Sequence, residues 1–238
     1  MLIGVVLGLA SFASGQVPDK FTNLQFFPKD ISKADLMGQM RGFSFTLNVR
    51  CPYCHVENSA KDLDLNFASD DKQAKKTARL MLAMTAAINR DYIGKVGVSD
   101  PIQVECVTCH RGLAQPKTLK ATLSDAINKS GIEGAIALYR DLRSRYYGTG
   151  QYDFGESPLN QLTETLLHAS KNEEAAKLME MNFEENHPTS IWSYHLLAMS
   201  HQAAGETEKA KADYQKVLEL HPDDTWAKKQ LDSLTGSK

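Results

Sequence analysis

The 238-residue sequence lacks a hydrophobic run long enough to cross a membrane. Its longest apolar stretch, at the N-terminus, has about a dozen residues, whereas a transmembrane helix needs about 20. A basic excess is also missing: residues 17–120 carry 15 Lys and Arg against 11 Asp and Glu, and the rest carries 12 against 18. A net charge of −2 without a basic patch argues against nucleic-acid binding. We therefore expect a globular mature chain with no stable membrane span and no nucleic-acid partner.

The N-terminal segment has the pattern of a secretory signal, although the usual basic start is missing. An apolar run is followed by small residues, and Ala13-Ser14-Gly15 offers a cleavage point. No cysteine stands at that point, so a lipid anchor is not expected there. We predict that residues 1–15 are a signal peptide and that the protein is exported to the periplasm or the extracellular space.

None of the four cysteines is isolated. The pattern C-x-x-C-H occurs twice, as Cys51, Cys54 and His55 and again as Cys106, Cys109 and His110. In haem attachment, two thiols add to the two vinyl groups of one porphyrin, and the next residue places an imidazole beneath the iron. Two disulfides would also use four cysteines, but they give no reason for the same spacing to occur twice. The sequence therefore predicts two covalently attached haems c.

Two other chemistries share parts of this pattern. A glutaredoxin-type thiol pair requires a strand before the first cysteine and a helix that begins at it. The residues before Cys51, ADLMGQMRGFSFTL, instead repeat apolar positions at helical spacing. Zinc would find four Cys and two His, but zinc sites rarely place a histidine immediately after C-x-x-C. Haem attachment is the interpretation that explains both copies.

Methionines upstream of each motif are candidates for the sixth ligand of each iron. Met37 and Met40 precede the first motif, and Met81 and Met84 precede the second. Each pair has i, i+3 spacing, so its members share one face of a predicted helix. A thioether ligand favours ferrous iron and raises the reduction potential, which suits an electron carrier. Helical geometry alone leaves open which member of each pair is the ligand.

Polar residues predict where these two helices begin. Asp30 or Ser32 can cap the helix of the first methionine pair, and Ser69 with the acids after it gives a start signal for the second.

Arginines close to the motifs are candidates to pair with haem propionates. They are Arg41, Arg50, Arg79 and Arg111.

Three stretches, MRGFSFTLNVRCPYCH, TARLMLAMTAAINRDYI and VECVTCHRG, resemble the cytochrome subunit family of photosynthetic reaction centres. In that family a helix supplies the sixth ligand, turns back and leads into C-x-x-C-H. The family's methionine lies about eleven residues before the first cysteine in one unit, which implies Met40 here. In another unit it opens an M-T-x-x-I-N segment, which implies Met84.

The resemblance covers about residues 21–115, and the chain departs from the family in one respect. Photosynthetic members carry four haems, one of which takes a histidine as its sixth ligand. This chain has two motifs and no histidine outside them before His168. The resemblance therefore implies the haem-binding unit and leaves open whether the protein serves photosynthesis or respiration.

From about residue 121 the helical patterns continue without C-x-x-C-H. Residues 190–224 follow the tetratricopeptide pattern through Ala198, Gly205, Ala210, Tyr214 and Pro222. A weaker copy ends at Pro188, 34 residues before Pro222, and a degenerate helical hairpin precedes it. We expect this region to dock a protein partner, or alternatively only to pack on the haem domain. Its histidines are expected at the surface or in packing: His168, His187, His195 and His201.

Together these patterns predict an all-α protein. A signal peptide at 1–15 precedes a dihaem cytochrome c domain of helix–turn–CxxCH units at 16–115, a linker at 116–122 and tetratricopeptide-like repeats at 123–238. The predicted function is single-electron transfer between exported redox proteins, and not catalysis. A peroxidase-like dihaem enzyme with one open iron site and a repeat scaffold are the alternatives. The predicted thioether residues are Cys51, Cys54, Cys106 and Cys109, and the predicted iron ligands are His55 with Met40 and His110 with Met84.

Overall fold

The computed structural model describes residues 17–58 and 64–236. The predicted signal peptide, residues 1–15, lies outside these ranges. Within them the chain forms nine α-helices and one two-stranded ribbon, which confirms the all-α class. The helices are α1 (Lys33–Leu47), α2 (Gln73–Ala87), α3 (Cys106–His110), α4 (Leu119–Tyr146), α5 (Glu156–His168), α6 (Asn172–Asn186), α7 (Ile191–Ala203), α8 (Thr207–Leu220) and α9 (Thr225–Thr235). None of these described helices combines the length and the apolar character that a bilayer crossing requires.

The chain divides into two compact units, Met1–Pro116 and Lys117–Lys238. We call the first the CxxCH unit and the second the repeat unit. The predicted domain limits stay a prediction, but the second half of the predicted linker at 116–122 is helical, because α4 begins at Leu119. Thr118 explains that start, since its hydroxyl accepts a hydrogen bond from the Ala121 N–H at 3.1 Å.

Helix α1 carries the first methionine pair and has well-defined ends. Ser32 is the N-cap, as predicted, and its hydroxyl accepts a hydrogen bond from the Asp35 N–H at 3.1 Å. At the other end Asn48 adopts the left-handed conformation with φ 52°. The Val49 N–H then donates to the Ser44 carbonyl at 3.0 Å, which stops the helix just before the first motif.

Helix α2 carries the second methionine pair and begins later than predicted. The Ser69 hydroxyl accepts from the Asp71 N–H at 3.1 Å, so Ser69 closes a short turn and caps no helix. The helix starts four residues further on, at Gln73. After Ala87 it widens into a π-helical turn, Ile88–Tyr92, and ends in a 3₁₀ turn, Ile93–Lys95.

A short ribbon follows the first motif and was not predicted. Its strands β1 (Val56–Glu57) and β2 (Leu65–Asn66) are antiparallel, with Val56 opposite Asn66 and Glu57 opposite Leu65. The Asn58 N–H also donates to the Asp64 carbonyl at 2.9 Å. Two residues per strand are too few to show a pattern of alternation in the sequence.

Helix α4 is bent sharply at Gly131, where φ is 71° and ψ is −178°. Glycine tolerates this conformation because it has no Cβ. Three residues later, a Cβ on Gly134 would lie 2.5 Å from the Ser130 Cβ, so the chain also needs glycine there. The bend lies inside the segment predicted as a degenerate helical hairpin.

The helices of the repeat unit pack in sequence, each from α5 to α8 on the next, and α5 also contacts α7. The small and aromatic residues of the tetratricopeptide pattern are fully buried where α7 and α8 meet: Ala198, Ala210 and Tyr214. Gly205 makes the turn between these helices with φ 79°. The pattern read from the sequence therefore identified the core positions of this pair.

Candidate haem sites

The first motif, residues 51–55, forms a single tight helical turn at the end of α1. Cys51–Tyr53 is a 3₁₀ turn with Pro52 among its first residues. The N–H groups of Cys54 and His55 both donate to the Cys51 carbonyl, at 3.2 and 3.0 Å. The turn therefore brings the backbone of Cys54 and His55 back towards that of Cys51.

The second motif is the five-residue helix α3, Cys106–His110. Its start is held by reciprocal bonds between Glu105 and Thr108, including Glu105 N–H to the Thr108 hydroxyl at 3.0 Å. Its end is marked by Arg111 in the left-handed conformation with φ 44°. Both ends of this short helix are therefore fixed by residues directly next to it.

The structure brings the two motifs to the same end of α1. The Gly112 N–H, just after the second motif, donates to the carbonyl of Thr46 at 2.8 Å. Thr46 lies in the last turn of α1, five residues before Cys51. Sequence reasoning could not find this bond, because a backbone carbonyl leaves no signature in the sequence.

The ring of His110 is held in the tautomer that suits a metal ligand. Its Nδ1 lies 2.8 Å from the Leu113 carbonyl oxygen, which can only accept, so Nδ1 carries the hydrogen. The lone pair is then on Nε2, which can bind a metal. Histidines that ligate metals usually donate their other ring hydrogen to a carbonyl or a carboxylate in this way.

His55 is half-buried, and its ring packs edge-on against Phe67 with 4.9 Å between centroids. Its Nδ1 is buried without a hydrogen-bond partner among the described residues. Burial first, and then the positive charges of Lys75, Lys72 and Arg79, lower the pKa of His55 to about 4. The imidazole is therefore neutral at pH 7, which is the form that binds iron.

The arrangement around the first motif does not suit a glutaredoxin-type thiol pair. An α-helix precedes Cys51 in place of a strand, and only a three-residue 3₁₀ turn begins at it. Burial raises the pKa of the Cys54 thiol despite the nearby Lys72 and Lys75. The dithiol interpretation loses both of its structural requirements.

All four candidate methionines lie on the predicted helices, in the predicted pairs. Met37 and Met40 are half-buried on α1, which leads directly into the first motif. Met81 and Met84 lie on α2 with 40% and 47% of their surface exposed. The helix positions confirm the shared face of each pair, and the choice of Met40 and Met84 stays a prediction.

Apolar side chains of the CxxCH unit are largely turned outward. Among its described residues the buried hydrophobic side chains are Leu36 and Leu65. Phe45 on α1 is 81% exposed, and Ile102 before the second motif is 83% exposed. Other exposed apolar residues of the unit are Phe26, Tyr53, Leu80, Met81, Met84, Tyr92, Val96, Val98 and Val107. Exposed apolar side chains of this kind fit a unit that covers a porphyrin, which is a large apolar plane.

A charge cluster next to the first motif was missed by sequence reasoning. Asp70 pairs with Arg79 at 2.8 Å and Lys75 at 3.2 Å, and it accepts a hydrogen bond from Asn23 at 2.9 Å. The Arg79 and Asn23 bonds, with help from Lys75, hold the pKa of the Asp70 carboxyl well below its usual range. Arg79 is therefore engaged by Asp70, which weakens its predicted role as a propionate partner.

A further lysine contacts the first motif directly, because the Lys72 ammonium donates to the Pro52 carbonyl inside the motif.

Comparison with known proteins identifies the family of this chain. A profile of the family described as "Photosynthetic reaction centre cytochrome C subunit" matches residues 10–205. The chain belongs to this family. A tetratricopeptide repeat profile also matches residues 192–224, a segment that includes α8 and all of α7 except its first residue.

Curated relatives match less than half of this chain. The photosynthetic reaction center cytochrome c subunits of Roseobacter denitrificans and Rubrivivax gelatinosus are each 38% identical over 69 residues, 29% of this chain. Cytochrome c-554 of Chloroflexus aurantiacus is 32% identical over 99 residues, 41% of this chain. The matches span 18%, 16% and 22% of the respective relatives. As a family member the chain is a c-type cytochrome, and covalently bound haem c is the cofactor that membership implies.

Proposed function

We propose that this protein is an exported dihaem cytochrome that passes single electrons between redox partner proteins in the periplasm or outside the cell. Its two haems c would be held by thioethers, one by Cys51 and Cys54 and one by Cys106 and Cys109. The proposed iron ligands are His55 with Met40 and His110 with Met84.

The observation that carries this proposal is the placement of two CxxCH turns at one end of α1. The Gly112–Thr46 hydrogen bond, 2.8 Å long, ties the second motif to the helix that leads into the first. When bound, each haem supplies a one-electron redox centre. The chain then fixes the two attachment points close together, which suits transfer of electrons between two centres.

Several residues of the chain have roles in holding such groups. The Leu113 carbonyl orients the His110 ring through Nδ1, at 2.8 Å. Phe67 packs on His55, and the lysines near it favour the neutral imidazole. The exposed apolar residues of α1 and of the segment before α3 would cover porphyrin faces and exclude water.

We further propose that the repeat unit docks a redox partner. The tetratricopeptide match to residues 192–224 and the sequential packing of α5 to α9 support this role, because stacked helical pairs commonly present a surface for a protein segment. The alternative, that the repeats only pack on the haem domain, predicts no affinity of the repeat unit for other redox proteins.

The mass and the absorption spectrum of the mature protein test the proposal. We expect removal of residues 1–15, a gain equal to two porphyrins, and two low-spin irons with the methionine-to-iron charge-transfer band. Free or disulfide-bonded thiols without attached porphyrin would contradict haem attachment. A high-spin iron that reacts with peroxide would instead favour the dihaem enzyme.

A further inference from the structure

Asn89 makes a two-way hydrogen bond with the backbone of a residue far along the chain. Its side-chain N–H donates to the Val104 carbonyl at 2.8 Å, and its side-chain oxygen accepts from the Val104 N–H at 2.8 Å. Both residues are half-buried. Because donor and acceptor are both used, the carboxamide replaces the two bonds that a neighbouring strand would give Val104.

These two bonds are the polar attachment of an otherwise loosely held segment. In the described part of the chain, residues 97–104 form no other hydrogen bonds and no ion pairs. The segment has no regular secondary structure, and Val98 and Ile102 are exposed. Among the described residues, Asn89 therefore supplies the hydrogen bonds that hold residues 97–104, which lead into the second motif.

Asn89 also lies at a defined place relative to Met84. It belongs to the π-helical turn Ile88–Tyr92 that follows α2, five residues after Met84. A π turn inserts an extra residue in the helix and so rotates the side chains after it, and such turns are frequent at functional sites. At its other end the bond fixes Val104, two residues before Cys106.

We propose that Asn89 is a positioning residue of the second haem site, which sets the distance between the Met84 helix and the CxxCH helix α3. This inference rests on the proposed function, in which Met84 and His110 would both ligate the iron of one haem. An iron held by two ligands from separate segments needs both segments in fixed register. The carboxamide supplies that register without touching the iron.

The test compares three variants of the full-length mature protein. Asn89→Ala removes both bonds, and Asn89→Asp keeps an acceptor for the Val104 N–H but loses the donor to its carbonyl. Asn66→Ala is the matched control. The Asn66 side chain also accepts hydrogen bonds from backbone N–H groups, those of Ala68 and Ser69 at 3.1 and 2.9 Å. Asn66 differs from Asn89 in that it follows the first motif and not Met84.

For Asn89→Ala we expect both porphyrins to remain attached by mass. We expect loss of about half of the methionine-to-iron band, because one iron of two is affected, and a lower potential at that iron. Asn89→Asp should show a smaller loss. Hydrogen exchange of the amides in residues 97–106 should become faster by about tenfold or more in Asn89→Ala. The control should keep the full band and the protection of this segment.

The outcomes separate this inference from the proposed function. A wild-type protein without attached porphyrin, or without the methionine band, would overturn the proposed ligands and the inference with them. A wild-type protein with the full band, matched by an Asn89→Ala protein with the same band, potentials and exchange rates, would overturn the inference alone. An equal loss of band in the Asn66→Ala control would also overturn it, since the effect would not be specific to Asn89.

Discussion

The CxxCH unit and the repeat unit bury apolar surface in different ways. Among the described residues, the CxxCH unit has two buried hydrophobic side chains and the repeat unit has 22. The repeat unit contains two continuous hydrophobic clusters, one around α4 to α6 and one around α7 to α9. In the CxxCH unit, large apolar residues such as Phe45 and Ile102 instead lie at the surface.

This difference indicates where each unit obtains its stability. Buried side chains stabilise the repeat unit directly, because each large apolar side chain removed from water contributes about 1.5–3 kcal/mol. The CxxCH unit exposes many of its large apolar residues, and among its described residues its own side chains form little core. We infer that one unit folds from its sequence and the other folds together with its cofactor.

The largest expected effect comes from blocking haem attachment. In the full chain with Cys51, Cys54, Cys106 and Cys109 all changed to Ala, we expect the CxxCH unit to lose most of its hydrogen-exchange protection. The repeat unit should keep its own protection, because its core is made of side chains. Hydrogen exchange followed by peptide mass measures both units in one sample. Slow exchange of the amides of α1 and α2 in this variant would contradict the inference that the CxxCH unit folds together with its cofactor.

A core substitution in the repeat unit should destabilise that unit and leave the CxxCH unit unaffected. Leu162 on α5 is buried, and Leu162→Ala should lower the free energy of unfolding of this unit by about 2–5 kcal/mol. The exposed Leu220 on α8 is the control, and Leu220→Ala should change the free energy of unfolding by less than about 0.5 kcal/mol. Urea unfolding gives the energies, and the haem spectrum should stay unchanged in both variants. A spectral change in Leu162→Ala would show that the units do not fold separately.

The methionine assignment gives a smaller effect, confined to the irons. Met40→Ala and Met84→Ala should each turn one iron high-spin and lower its potential, on the order of 100 mV, since axial ligands tune haem potentials over about 0.8 V. Met37→Ala and Met81→Ala, one helical turn earlier, are matched controls and should keep both low-spin irons. Spectra and redox titrations of the four variants measure this. The same loss in a control would reverse the assignment within that pair.

The smallest expected effect is a pH dependence of the repeat unit. His201 on α7 is 4% exposed and lies 2.5 Å from Asp213 of α8 and 3.2 Å from Glu180 of α6. Glu206 is 3.7 Å away, and Lys209 pairs with both Glu180 and Glu206. Burial opposes the charged ring, but the bonds and charges of Asp213 and Glu180 outweigh it and raise the pKa of His201.

A raised pKa in the folded state means that the protonated ring stabilises the fold. That stabilisation is fully present below the unfolded pKa, about 6.5, and is lost as the pH rises through the raised folded pKa. Thermal unfolding between about pH 6 and pH 9 should therefore show a midpoint that falls as pH rises. His201→Gln should lose this slope, whereas His221→Gln, at an exposed position, should keep it. An unchanged slope in His201→Gln would contradict the assignment.

Sequence reasoning succeeded where a local pattern has a local cause. The Ser32 cap and the buried Ala198 and Tyr214 follow from short-range chemistry or from a repeat. It placed the start of α2 too early because Ser69 can either cap a helix or close a turn, and the residues after it decide which.

The sequence could not reveal interactions whose partners are distant or belong to the backbone. The Asn89 side chain bonds to the backbone of Val104, so no residue type at position 104 points to it. Asp70 meets Asn23 from 47 positions away, and nothing in the local sequence pairs them. His201 was expected at the surface or in packing, and the structure buries it against charged side chains from two neighbouring helices and a turn.

The link between Thr46 and Gly112 is made by main-chain atoms at both ends. Gly112 has φ 84°, which restricts that position to residues tolerant of left-handed geometry, but Thr46 offers only its carbonyl. Most substitutions at position 46 would therefore leave this hydrogen bond in place. Distant relatives could diverge widely in sequence around α1 and still inherit the same spacing of their two motifs, a similarity that percentage identity would underestimate.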